Sequence, residues 1–251
     1  MERKLEKLLN DTPETYYWIG FIMADGTLVG NRLKIGLSIK DEDLLNRLYH
    51  FLGCTNTIHK TDISCEFSIM DSYTIPLLRN KFDINQSKTY NPPKSLLWMD
   101  DDLLYSFIIG FIDGDGSISK QYNREDPTLR IKIHSNWLSI LNEISMFIST
   151  KANVNVVEAR INNQGYANVN LSNHVLLKSL KKKALELKIP YLNRKWSLID
   201  ENHINKMEKS KYTLNKVMEL IKLGYSDKAI RNTLGLKPSN LSTMKKRNGL
   251  R

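Results

Sequence analysis

Residues 18–26 read WIGFIMADG and residues 108–116 read IIGFIDGDG. Each is an apolar run ending in an aspartate set against glycine, and Asp25 and Asp115 hold the same place in the two copies. Both runs predict helices. Gly20 and Ala24 stand four apart, as do Gly110 and Gly114, so each helix carries small residues on one face. Those four residues are expected to form the contact between the two motif helices. Gly26 and Gly116 are expected to supply the left-handed residue that ends a helix. Asp25 and Asp115 then sit at helix C-termini, where an acid is unfavourable by ~0.3–1 kcal/mol. Parallel packing brings the two carboxylates together, and like charges at short range resist ionising jointly. A divalent cation relieves that conflict, since Mg²⁺ takes carboxylate oxygens and shares them with phosphate. Paired carboxylates holding metal beside a phosphodiester are the working parts of metal-assisted hydrolysis. A single aspartate of this kind reads as a turn cap; the pair reads as a metal site.

The surroundings of the two runs repeat as well, at a spacing suited to a duplicated domain rather than a solenoid. RLKIGLSIK (32–40) alternates apolar Leu33, Ile35, Leu37 and Ile39 with polar or small residues, the period of a half-buried strand. DEDLLNRLYHFLG (41–53) reads as a helix opened by acids and closed by Gly53. ISCEFSIMD (63–71) alternates again, a short helix follows around 72–82, and NQSKTYNPP (85–93) forms a joint. In the second copy TLRIKIHS (128–135) is the strand and WLSILNEISMFIS (137–149) the helix. Residues 154–171 then read as a hairpin around NNQG, 173–188 as a helix, leading into PYLNRKW (190–196). Boundaries are expected at 1–95, 96–203 and 204–251.

Composition narrows the class. With 41% apolar and 25% charged residues over 251 positions, the chain has material for a real core. No apolar run approaches the ~20 residues of a membrane span, so no membrane partner is expected. MERKLEKLLND lacks a signal-peptide pattern, and an intracellular setting, cytoplasm or organelle matrix, is expected. Cys54 and Cys65 are too few for a disulfide framework and read as buried thiols. The net charge of +10 is concentrated at one end: residues 201–251 hold 12 Lys/Arg against 4 Asp/Glu. Such tails commonly meet polyanions.

Taken with the duplication, WIGFIMADG and IIGFIDGDG resemble the LAGLIDADG motif of homing endonucleases in the single-chain, two-motif form, over residues 16 to 200 or so. The resemblance implies an α+β fold of two pseudo-twofold-related αββαββα repeats, each with an antiparallel saddle sheet in the major groove, plus a small all-α module at the C-terminus. It implies a monomer that cuts one phosphodiester per strand across the minor groove of a long asymmetric duplex site, leaving short 3′ overhangs. Asp25 and Asp115 are then the metal-binding catalytic residues. The carbonyls of Ala24 and Gly114 are further ligands for Mg²⁺, or for Mn²⁺ or Ca²⁺ in its place. Met23 departs from the acid found at that motif position, and Asp113 keeps it. Lys88 and Lys195 occupy matching places at the ends of the copies, where an ammonium offsets charge on the scissile phosphate. Lys40 is a third candidate; its counterpart lies near Ser135, which would make the two cleavage sites chemically unequal. Arg32, Lys34, Lys60, Lys120, Arg124, Arg130, Lys132, Arg160, Asn168 and Asn170 are the expected DNA contacts of the sheets.

In the tail, 213–223, 226–235 and 237–247 read as three helices separated by glycine turns, with Ser226 as N-cap and Pro238 in a first turn. The order resembles a helix-turn-helix, whose last helix enters the major groove by its N-terminal residues. Ser239 and Asn240 are placed to meet bases, and Lys245, Lys246 and Arg247 phosphates. Two other functions fit the same scaffold: an RNA maturase assisting intron splicing, and a DNA-binding regulator that no longer cuts. Neither requires both aspartates, and both are present.

Overall fold

The first motif becomes α1 (Pro13–Ala24) and the second α4 (Asp101–Asp115). Thr12 caps α1 by accepting from Thr15 N, with Pro13 in the first turn. Asp101 and Asp102 stand at the positive end of α4. Thr15 to Ala24 and Leu104 to Asp113 are buried without a gap. A helix apolar on all sides belongs inside a core, and these two lie against each other. A Cβ on Gly20 would stand 1.9 Å from the Phe107 carbonyl oxygen, and one on Gly110 1.9 Å from that of Tyr17. One on Gly114 would meet the Ala24 Cβ at 2.3 Å. The contacts advance together along both chains, so the helices run parallel and end side by side.

Gly26 and Gly116 do not adopt the left-handed conformation expected of them: neither has positive φ, and Gly116 is extended at φ −83, ψ 154. Glycine is required there by proximity. A Cβ would stand 2.7 Å from the Ile22 carbonyl oxygen in one copy and 2.6 Å from that of Ile112 in the other. Each glycine turns the chain directly from motif helix into strand.

The computed structural model describes residues 5–54, 58–120, 126–200 and 206–250; Arg124, an expected DNA contact, lies outside them. After α1 come β1 (Gly26–Val29), β2 (Arg32–Ser38), α2 (Glu42–Leu52), β3 (His59–Lys60), β4 (Ser64–Met70) and α3 (Thr74–Phe82). After α4 come β5 (Gly116–Ser119), β6 (Thr128–His134), α5 (Leu138–Lys151), β7 (Arg160–Ile161), β8 (Tyr166–Leu171) and α6 (His174–Glu186). Each copy forms one antiparallel sheet, ordered β1-β2-β4-β3 and β5-β6-β8-β7. The registers correspond: Ile35 faces Gly26 and Phe67, and Ile131 faces Gly116 and Val169. Leu33, Ile35, Leu129 and Ile131 are buried, while Arg32, Lys34 and Arg130 alternate with them on the open face. A short turn of 3-10 helix follows each middle strand, Ile39–Asp41 and Ser135–Trp137. α7 (Asn193–Trp196) closes the second copy.

Residues Met1–Asp200 form one compact unit and Glu201–Arg251 another. The second holds α8 (Lys206–Lys222), α9 (Asp227–Leu234) and α10 (Pro238–Arg247) around buried Val217, Ile230 and Leu241. Ser226 caps α9 by accepting from Ala229 N, and left-handed Gly235 ends it. Cys54 and Cys65 are buried and are not joined in a disulfide. Among the described residues no helix is long and apolar enough to cross a membrane.

Candidate active site and nucleic-acid interface

Parallel packing delivers Asp25 and Asp115 to the same end of the α1–α4 pair. Asp25 caps α1 and is exposed; Asp115 is the last residue of α4 and half-buried. Asp25 Cγ lies 3.4 Å from where a Gly114 Cβ would be, so the seam glycine is what leaves room for the carboxylate. Burial raises the pKa of Asp115 to about 6, and the neighbouring charge of Asp25 adds to the rise. Asp25, although its side chain is open to solvent on one side of the crowded helix ends, is raised by the desolvation those neighbours impose and by Asp41, against the lowering pull of Lys195, Lys88 and Arg194. Desolvation and a like charge both disfavour the ionised form, so charging both carboxylates here costs stability.

Lys88 and Lys195 close the ends of the two helices. The Lys88 ammonium donates to the carbonyls of Met23 (2.6 Å) and Ala24. Lys195 donates to those of Ile112 (3.1 Å), Asp113 (2.6 Å), Gly114 (3.4 Å) and Gly116 (2.6 Å). These include carbonyls a helix end leaves without backbone partners, at its negative pole. Burial pushes both lysines down, while Asp25 and Asp115 hold Lys88 up and Asp113 does most to hold up Lys195. The Ala24 carbonyl, expected to ligate metal, thus already accepts from an ammonium, and that of Gly114, the most distant of four around three N–H groups, shares one. A second lone pair remains on each.

Asp113 has a different employment. Its buried carboxylate accepts from the Tyr17 hydroxyl (2.8 Å), Leu192 N (2.8 Å) and Trp196 Nε1 (2.7 Å). It therefore ties α1 of the first copy and the segment carrying Lys195 to α4. Burial raises its pKa to about 6. Met23, its counterpart, is buried and apolar.

Lys40 is exposed in the 3-10 turn after β2, and its backbone N–H donates to the Ser38 hydroxyl. Asn136 takes the equivalent place in the second copy, donating its N–H to His134 Nδ1. The next residue in each turn contributes something the sequence did not announce. Asp41, only 7% exposed, receives Arg194 side-on, Nε to Oδ1 and Nη2 to Oδ2 at 2.6 Å each. Trp137 donates its Nε1–H to the carbonyls of Lys88 and Thr89, both at 3.1 Å. Each lysine-bearing segment is therefore pinned by the turn of the other copy.

The open sheet faces differ. On the first, Lys34 pairs with Glu66 (2.8 Å) and Arg32 Nη2 approaches Met70 Sδ (3.4 Å), whereas Lys60 stands opposite buried Cys65 on the other side of the sheet and pairs with Glu42 of α2 (2.5 Å). On the second, Arg130 Nε donates to Asn170 Oδ1 (2.8 Å) and Asn170 in turn to Asn168 Oδ1 (2.9 Å). Lys132 reaches Gln164 (2.7 Å) and stands 4.5 Å from the centre of the Tyr166 ring. Arg160 is exposed on β7, and Lys120 is exposed just beyond β5. In the C-terminal unit Ser239, Asn240, Lys246 and Arg247 are exposed, while Lys245 pairs with Asp227 (3.0 Å).

Among the described residues no three His, Cys, Asp or Glu side chains gather as a metal cage. Asp25, exposed, and Asp115, half-buried, instead offer hard oxygen donors that protein does not enclose. That is the donor set expected where Mg²⁺ is shared with a phosphate rather than enclosed by protein.

No family model and no curated protein matches the chain. Solved structures do. The LAGLIDADG homing endonuclease I-GzeII in complex with its DNA target is similar with a TM-score of 0.53 and 14% identity, covering 85% of this chain and 97% of that one. A lysine-to-alanine mutant of I-SmaMI gives 0.52 and 12%, covering 95% and 98%. I-SmaMI bound to uncleaved DNA in the presence of calcium ions gives 0.49 and 13%, covering 96% and 98%. At such identities the likeness is one of fold, and it extends over both repeats.

Proposed function

We propose that this chain, built on the LAGLIDADG homing-endonuclease fold, is a site-specific double-strand DNA endonuclease. The observation that carries the reading is the pair Asp25 and Asp115, brought together against their own electrostatics at the joined ends of two buried helices. Asp25, Asp115 and the carbonyls of Ala24 and Gly114 would hold Mg²⁺, which when bound polarises water and neutralises charge on a phosphate. Lys88 and Lys195 set an ammonium beside each carboxylate, where each offsets the charge that develops on a phosphodiester under attack. Water is the nucleophile. The sheet faces carry the duplex, and Ser239, Asn240, Lys246 and Arg247 extend the contacted site.

The test is a randomised duplex library incubated with the protein in Mg²⁺ or EDTA, with the cut ends sequenced. Cuts at one long asymmetric site in Mg²⁺ alone are expected. Specific binding with intact DNA in every divalent metal would overturn the nuclease; binding to structured RNA but no duplex would turn the reading to a maturase.

Arg130 is placed to select one base pair. Asn170 holds Arg130 by Nε and leaves the terminal guanidinium nitrogens pointing as a fork, the geometry that takes guanine O6 and N7. Arg130→Ala is expected to relax the library profile at one G·C pair, by about 1–3 kcal/mol of discrimination, and leave the other positions unchanged. A uniform loss across all positions would make Arg130 a phosphate contact instead.

A further inference from the structure

Among the described residues the bridge between Asp41 and Arg194 has no counterpart in the other half of the site. Arg194 precedes Lys195 in α7, whereas Ser87, in left-handed conformation, precedes Lys88. Asp41 ends the turn after β2, whereas Trp137 ends the turn after β6 and holds its segment through a neutral indole. Around the Lys88 segment the pinning is uncharged; around the Lys195 segment it brings a guanidinium.

That guanidinium is only half used. Asp41 occupies Nε and one hydrogen of Nη2, leaving the Nη1 amino group and the second Nη2 hydrogen, and the side chain is 54% exposed. Asp41 itself is buried, and the two-point bridge holds the arginine against it. The guanidinium is near enough to Asp25 and to Lys195 to act on the charge of both, and the Lys195 ammonium reaches the carbonyl of Gly114, which abuts Asp25. A planar fork of donors, rigid and charged, suits phosphate oxygens.

We propose that Arg194 contacts the scissile phosphate next to Asp25, that Asp41 is the positioning residue that holds it there, and that the two strands are consequently cut by unequal sites. This rests on the endonuclease reading above. The strand served by Arg194 is cut first, and a nicked duplex precedes the double-strand break. Lys40, exposed and without such an anchor, is not the source of the asymmetry.

Strand-resolved kinetics test it, using the site recovered from the library with each strand labelled at its 5′ end. Wild type is expected to cut the strands at distinguishable rates. Arg194→Ala should slow the faster strand about 100-fold, the usual effect of removing one transition-state donor, and the other less than threefold. Asp41→Asn should slow the same strand about tenfold. A bridge with a merely structural role would be rescued by the exchanged pair Asp41→Arg with Arg194→Asp. The exchange is expected to restore thermal stability but not the fast strand, because the guanidinium then starts from the wrong side. Equal slowing of both strands, no slowing, or kinetic rescue by the exchange would each overturn the assignment while the endonuclease stands. A wild type that cuts nothing overturns the endonuclease reading, and this one with it.

Discussion

Replacing both motif aspartates, Asp25→Asn with Asp115→Asn, is expected to abolish Mg²⁺-dependent cutting while making the metal-free protein more stable at neutral pH. The first effect is about a thousandfold or more, the several kcal/mol of charge stabilisation that a bound metal supplies. The second has a sign fixed by Asp115, whose carboxyl titrates at about 6 in the fold against 3.8 in the open chain. A carboxyl raised by folding is bound more tightly to its proton in the native state. Stability is therefore unpenalised below pH 4, falls as the pH rises from there to 6, and stays lower above. The difference is on the order of 2–3 kcal/mol for this group, with Asp25 acting in the same direction. Thermal unfolding at pH 4 and pH 7.5 should show the variant's advantage only at the higher pH. Adding Mg²⁺ should raise the melting temperature of wild type and not of the variant, because the cation binds carboxylates only when they are ionised. Equal stability of the two proteins at both pH values, together with an unmoved wild-type melting temperature in Mg²⁺, would make the pair an ordinary surface feature.

How far the site could be read beforehand depended on whether its parts repeat. Asp25 and Asp115 announce themselves because the same nonamer pattern occurs twice, and the alternation in 32–40 and 128–135 gave the strands with their faces. Lys88 and Lys195 stand out for the same reason, and both ammoniums reach the ends of the motif helices. Asp41 and Arg194 were not: 153 residues separate them, nothing local marks either, and Asp41 looks like one more acid opening a helix. Its side chain makes no capping bond, because it is turned to Arg194. Asp113 reads in the sequence as a retained motif acid, but its three buried donors come from residues 17, 192 and 196 and appear only when the chain is folded. The misreading at Gly26 and Gly116 has a similar root. Sequence suggests a glycine for its torsional freedom, whereas these two are demanded by the distance to the preceding turn.

Alanine at Gly20 or Gly110 is expected to unfold the protein more readily than any other methyl-sized change in the chain described above. Each Cβ would fall 1.9 Å from a backbone carbonyl oxygen of the facing helix, and backbone cannot turn aside as a side chain can. The helices must separate, opening the packing of Tyr17, Phe107 and their neighbours at once. Overpacking of this sort costs about 3 kcal/mol or more. Gly36 provides the comparison: it lies mid-strand on β2, has ordinary φ, and nothing stands within 4 Å of an added Cβ. Gly36→Ala should therefore be neutral or stabilising by about 0.5–1 kcal/mol. Urea unfolding of the three single variants, and of Gly20→Ala with Gly110→Ala, separates the effects. The double variant should cost less than the sum of the singles, since the first methyl has already parted the seam that the second would meet. Strict additivity, or a Gly20→Ala no worse than Gly36→Ala, would mean the helices are not held at contact distance. The same separation moves Asp25 away from Gly114 and Asp115, so cutting should fall further in these variants than the folded fraction does. The close approach of α1 and α4 thus has two consequences: it fills the core shared by the two repeats, and it sets the spacing of the carboxylates at its end.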